Sequence, residues 1–98
     1  MTLGAAGVVA TAAPAQAAWA SCPADYSCFY PQSGGGGTPW KPSTCGWHNL
    51  PFQVISVWNR GHGTIYWYNG STYTGWSTPV GNQGSNGALS ANRVNIAC

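Results

Sequence analysis

Beyond residue 18 the apolar side chains never recur with a helical period. No window places them at i, i+3, i+4 and i+7, and Gly, Pro, Ser, Thr or Asn interrupts the chain every few positions. What remains are short runs rich in β-branched and aromatic residues, at 27–30, 53–59, 64–68, 75–79 and 93–98, each bounded by turn formers. Such runs predict strands, and strands this short at such regular spacing predict an all-β sandwich or barrel.

The runs also repeat. Cys28-Phe29-Tyr30 matches Tyr66-Trp67-Tyr68 at a spacing of 38 residues, and each is followed by a Gly-containing loop and then a tryptophan, Trp40 or Trp76. Val54-Ile55-Ser56-Val57 and Val94-Asn95-Ile96-Ala97 are extended runs that close the two halves. The expected organisation is two units, residues 19–59 and 60–98, each one four-stranded motif that cannot bury its apolar face alone.

In the second unit, Tyr68-Asn69-Gly70-Ser71-Thr72-Tyr73-Thr74-Gly75 runs aromatic, four residues, aromatic, one residue, glycine. Two strand aromatics beside an Asn69-Gly70 hairpin turn would give the same letters. The spacing nevertheless resembles the signature of the βγ-crystallin Greek-key motif. There the second aromatic packs over a folded-back hairpin, and the glycine takes a backbone conformation that a Cβ would hinder. In the first unit Tyr30 and Gly37 keep their places, but Gly35 stands where the second aromatic belongs, so 34–37 is expected to be the mobile part.

A second resemblance covers more of the chain. Ser21-Cys22-Pro23-Ala24-Asp25-Tyr26-Ser27-Cys28-Phe29-Tyr30 is similar to the start of the actinobacterial metalloproteinase inhibitors and their secreted relatives, and Ser56-Val57-Trp58-Asn59-Arg60 resembles their centre. The resemblance implies an all-β, βγ-crystallin-like Greek-key β-sandwich of two four-stranded motifs, stapled by disulfides. It also implies an exported peptidase inhibitor, of the metalloprotease class, whose rigid loop enters the cleft of an extracellular protease noncovalently. Preorganising that loop avoids the entropy cost of ordering it on binding.

The N-terminus fits export. Residues 3–13 are an Ala-rich apolar run ending in Ala15-Gln16-Ala17, a small-x-small sequence of the kind signal peptidase cuts. Residues 1–18 are therefore expected to be a signal peptide and 19–98 the extracellular domain. The run is shorter than the roughly 20 apolar residues a bilayer crossing needs, so no membrane insertion is expected. Only Met1 and Thr2 precede it, where a basic segment normally stands, so the start of translation is expected further upstream.

A domain of this size has a small core and needs crosslinks. Cys22, Cys28, Cys45 and Cys98 read as two disulfides with three pairings open. Cys22–Cys28 as a local clip with Cys45–Cys98 tying the C-terminal strand is the preferred one. Charge is nearly absent: only Asp25, Lys41, Arg60 and Arg93 are charged. Three scattered cations make no phosphate-binding surface, so no nucleic-acid partner is expected.

The same scarcity removes most chemistry. Asp25 is the only carboxylate side chain, which denies calcium its charged oxygens and a glycosidase its acid pair, and its place inside the expected Cys22–Cys28 loop argues against a Ser/His/Asp triad. Cys45-Gly46-Trp47-His48 has Cys-x-x-His spacing, but exported cysteines are more often oxidised than metallated. A monomer with no catalysis, no metal and no cofactor is expected.

Binding remains. The better-known inhibitor of the family holds its reactive loop in a local disulfide in its later half; this chain has no such pair, so no reactive residue is carried over. Loop position alone selects Asn59, Arg60 and His62 in 59–63, and Asn82, Gln83 and Asn86 in 82–87. One competing reading is a glycan or cell-wall binding module with Trp40, Trp47, Trp67 and Trp76 as an aromatic platform, and another is an antimicrobial or toxin-like crystallin domain. Three or more exposed, coplanar Trp rings would favour sugar binding, whereas buried aromatics with one protruding, braced loop would favour inhibition.

Overall fold

A computed structural model describes residues 19–85 and 91–98. The expected signal peptide at 1–18 and the candidate Asn86 lie outside these residues. Among them are seven strands: β1 (Ser27–Tyr30), β2 (Gly46–Asn49), β3 (Ser56–Asn59), β4 (Thr64–Asn69), β5 (Thr72–Thr78), β6 (Gln83–Ser85) and β7 (Arg93–Ala97). They form two antiparallel sheets, β1-β3-β6 and β2-β7-β4-β5.

The order of strands exposes how the halves interlock. Trp40 pairs with Phe29 through reciprocal backbone hydrogen bonds of 2.8 and 2.9 Å, extending the first sheet to Trp40-β1-β3-β6. The second sheet reads β5-β4-β7-β2. In each, three segments come from one half of the chain and the fourth is lent by the other: β2 crosses to the second half's sheet and β6 to the first half's. Neither β2 nor β6 was expected from the sequence. Gly-Trp-His-Asn and Gln-Gly-Ser are short, polar edge strands whose pairing partners lie in the opposite half, so no local period marks them.

Alternation along the strands sets the core. In β4, Ile65 and Trp67 are buried while Tyr66 faces out; in β7, Val94 and Ile96 are buried. They meet Phe29, Val54, Val57 and Ala91, with Trp40, Leu50, Phe52 and Trp76 packed around them. Trp67 stacks on Trp76 at 4.6 Å and donates its indole N–H to Thr78 Oγ1 at 3.0 Å. A second cluster gathers Tyr30 and the Cys22–Cys28 disulfide against Trp19, Tyr26 and Trp58. Cys45 is bonded to Cys98, which removes it from any Cys-x-x-His metal pair. The His48 ring instead lies 2.8 Å from the Thr44 carbonyl and edge-on to Trp40.

The repeated residues occupy matching positions. Tyr68 and Tyr73 face each other across the β4–β5 hairpin with ring centroids 5.4 Å apart, and the turn falls at Gly70-Ser71, one residue later than Asn69-Gly70. Gly75 and Gly37, 38 residues apart, both adopt a left-handed backbone (φ +88° and +81°) that strains any residue with a Cβ. Gly35, at the place equivalent to Tyr73, is covered by a residue from elsewhere: the Trp19 indole lies where a Cβ on Gly35 would be. Trp19 packs edge-on against Tyr30 at 5.3 Å, much as Tyr73 sits against Tyr68, while the Ala20 amide donates to the Gly35 carbonyl at 2.9 Å.

Residues 34–37, expected to be the mobile part, are hydrogen-bonded to the rest of the domain at Gly34 and Gly35. The amides of Gly34 and Gly35 donate to the hydroxyls of Ser85 and Ser56 at 2.8 and 2.9 Å, and Ser56 Oγ donates on to the Gln32 carbonyl at 2.6 Å.

Candidate functional site

The loop closed by Cys22–Cys28 and the Cys45–Cys98 disulfide meet at one place on the surface. A shallow indentation there is lined by Asp25, Thr44, Cys45, His62 and Cys98, among others. The Cys22–Cys28 crosslink closes a tight turn in which the Tyr26 amide donates to the Pro23 carbonyl at 3.3 Å. Asp25 takes φ +76° in that turn, a conformation Asp tolerates better than most residues. The β3–β4 connection, Arg60 to Gly63, runs alongside.

This connection is held from three sides. Its inner support is Asn59, expected from loop position to project but fully buried. Its Nδ2 donates to the carbonyls of Gly63 at 3.0 Å and Thr78 at 2.9 Å, and its Oδ1 accepts the Gly61 amide at 3.1 Å. Three backbone groups, the Gly61 amide and the Gly63 and Thr78 carbonyls, are thus satisfied by one side-chain amide, which is why a polar residue is buried here. Arg60 supplies the second support: its amide donates to Tyr26 O at 3.0 Å, its carbonyl accepts the Asp25 amide at 2.9 Å, and Nη1 donates to Cys22 O at 2.8 Å. The guanidinium also lies 5.2 Å above the Trp58 ring. Third, Gly63 runs so close to β7 that a Cβ there would overlap the Ala97 carbonyl.

With Asn59 buried and Arg60 hydrogen-bonded to the clip, the free tip is His62. Its Nε2 lies 3.2 Å from Asp25 Oδ1, with the two side chains 65% and 71% exposed. The sequence marked His62 by loop position, but Asp25 entered only as an isolated carboxylate; their meeting depends on the long-range pairing of β1 with β3.

The other candidates separate. Asn82 is exposed, and its carbonyl accepts the Asn59 amide at 2.9 Å. Gln83 belongs to β6 opposite Trp58 and is a strand residue rather than a loop residue. Both border a cleft of about 130 Å³ between the edges of the two sheets, floored by Val57, Trp76 and Thr78. The four-Trp platform does not form: Trp67 is fully buried, Trp40 and Trp76 pack on the core, and only Trp47 is exposed, at 48%. Buried or half-buried tryptophans and a braced loop with an exposed His62 fit inhibition better than sugar stacking on those residues.

Among the described residues no three His, Cys, Asp or Glu side chains converge on a metal position, and no helix is long and apolar enough to cross a membrane. No curated protein and no solved structure matches the chain. The family model of peptidase inhibitor family I36, however, matches residues 15–80, a span that takes in the Cys22–Cys28 clip, the Arg60–Gly63 connection and the β4–β5 hairpin. The chain therefore belongs to peptidase inhibitor family I36: it is a non-enzymatic peptidase inhibitor, and its partner is a protease.

Proposed function

We propose that this protein is secreted and acts as a monomer on an extracellular metalloprotease, presenting the Arg60–Gly63 connection and the adjoining disulfide turn as one rigid, noncovalent binding surface. The observation that carries the reading is the Asn59 brace: a loop whose backbone is fixed at Gly61 and Gly63 loses little conformational entropy when it docks. The exposed His62–Asp25 pair at its tip provides polar contacts, and the buried aromatic clusters behind it keep the support stiff. Two disulfides fit an oxidising, extracellular setting.

The strand order supports a βγ-crystallin-like reading of the fold. Each half has its fourth strand beside its first, as in a Greek key, and exchanges its third with the other half. The metalloprotease class rests on the resemblance of 21–30 and 56–60 to the metalloproteinase inhibitors. Titrating the oxidised protein against a thermolysin-like zinc protease and a subtilisin-like serine protease, with peptide hydrolysis as readout, tests the class. Stoichiometric inhibition of the zinc enzyme alone is expected; inhibition of the serine enzyme alone would reassign it.

A further inference from the structure

The outer face of the four-stranded sheet is built unlike the rest of the surface. Of the four large apolar residues most exposed among the described residues, three stand on it: Trp47 on β2, Tyr66 on β4 and Tyr73 on β5. They are neighbours rather than strays. Trp47 packs on Tyr68 at 4.6 Å, Tyr68 on Tyr73 at 5.4 Å, and Tyr73 on Tyr66 at 6.0 Å, so four rings form one continuous strip. Cross-strand register explains the strip, because Tyr68 lies opposite both Arg93 and Tyr73, and Asn95 lies opposite both Trp47 and Tyr66. Ile65, Trp67, Val94 and Ile96, which alternate with these residues, fill the core beneath, so the four rings lie on the face of the sheet turned away from it.

Charge decides what such a face can accept. It carries no carboxylate, and its one cation, Arg93, lies 4.4 Å over the Trp47 ring with Nη1 3.4 Å from the Gly70 carbonyl. Aromatic faces interspersed with the Asn95 amide and tyrosine hydroxyls match a partner whose surface alternates C–H faces with hydroxyls and bears no charge. A cationic partner would find no carboxylate here, and an anionic one only the Arg93 guanidinium, already stacked on Trp47. The rings are inclined to one another by 47–66°, so they cannot lie together on a flat crystalline surface but can follow a single twisting chain.

We propose that this face binds a single chain of a neutral polysaccharide, with Trp47, Tyr66, Tyr68 and Tyr73 stacking on the sugar rings and Asn95 donating hydrogen bonds. The site lies on the outside of the sheet, is independent of the Arg60–Gly63 loop, and would hold the inhibitor on a glycan-coated surface where its target protease works.

Affinity electrophoresis of the oxidised protein through native gels containing a soluble β-1,3-glucan, a β-1,4-xylan, a β-1,4-mannan or amylose tests the site, with polygalacturonate and suspended crystalline cellulose as contrasts. Retardation by at least one neutral gel is expected, weakened at least tenfold by Trp47→Ala and by Tyr73→Ala and largely kept by Trp47→Phe. Near-UV circular dichroism identifies any variant that has lost its fold, and Tyr66→Phe, which removes only a hydroxyl, serves as the mildest probe. No retardation by any neutral gel would overturn the proposal, as would retention by polygalacturonate or crystalline cellulose alone, or retention unchanged in folded variants.

Discussion

Replacing Trp19 with Ala probes how the first half of the molecule is completed. The half-buried indole covers Gly35, packs edge-on against Tyr30 at 5.3 Å and meets Trp58 at 6.2 Å. Full truncation of a core Trp costs about 3–5 kcal/mol, and roughly half of that is appropriate for a side chain still partly in water. Losing two edge-to-face pairs adds about 1 kcal/mol at the low end of the 0.5–1.5 kcal/mol that each contributes beyond its buried area, the low end being apt for a half-exposed ring. The expected loss is therefore about 2.5–3.5 kcal/mol, which in a domain of this size lowers the thermal midpoint by roughly 10–25 °C. Thermal unfolding of the oxidised protein, followed by near-UV circular dichroism, measures it. Trp19→Phe keeps a ring over Gly35 and should lose less than half as much, and Val80→Ala, at an exposed position, should change little. A Trp19→Ala midpoint within 3 °C of wild type would refute the idea that this residue stands in for the missing second aromatic.

Three further perturbations test other supports. Asn59→Ala strands the carbonyls of Gly63 and Thr78 and should destabilise by about 3 kcal/mol in chemical denaturation, with a parallel loss of inhibition as the loop loosens. Burial raises the Tyr30 phenol above its usual value of 10.0, so its stabilising contribution is complete below pH 10 and disappears as pH rises through the raised folded value. Tyr30→Phe should lose about 1 kcal/mol at neutral pH, from the hydroxyl's bond to Ala20 O at 2.7 Å, and show a smaller alkaline drop than wild type. The two disulfides should differ: replacing Cys45 and Cys98 with Ser frees a loop of sequence separation 53 and should cost about 4 kcal/mol, against about 2 kcal/mol for the clip of separation 6. Equal losses, or the reverse order, would show that chain entropy does not govern the crosslinks.

Residues that carry their own burial signal were legible in the sequence. The run at 27–30 is strand β1 with all four residues buried, and 93–98 differs from β7 only at Cys98. The run at 53–59 yields a strand only from Ser56, although Val54 is buried and the Ile55 amide already donates to the Tyr30 carbonyl at 2.9 Å. What the sequence hides is exchange between halves. Nothing local in Gly-Trp-His-Asn says that it will pair with residues 93–96, and nothing in Gln-Gly-Ser says that it will join Trp58. The site shows the same division. His62 was legible as an exposed loop residue, whereas Asn59, polar and beside a turn, reads as exposed until its two carbonyl partners are known. Trp19 was indistinguishable from a terminal residue, because the gap it fills lies at Gly35.

The central claim is that the disulfide-bearing end, not the cleft between the sheet edges, contacts the protease. The inhibition constants of His62→Ala and Asn82→Ala against one inhibited protease test it most directly, since both side chains are exposed and neither supports the core. The account predicts a weakening of about tenfold or more for His62→Ala, as for loss of a central polar contact of 1.4 kcal/mol or more, and less than twofold for Asn82→Ala. An unchanged constant for His62→Ala with a large loss for Asn82→Ala would contradict it and move the inhibitory surface to the cleft.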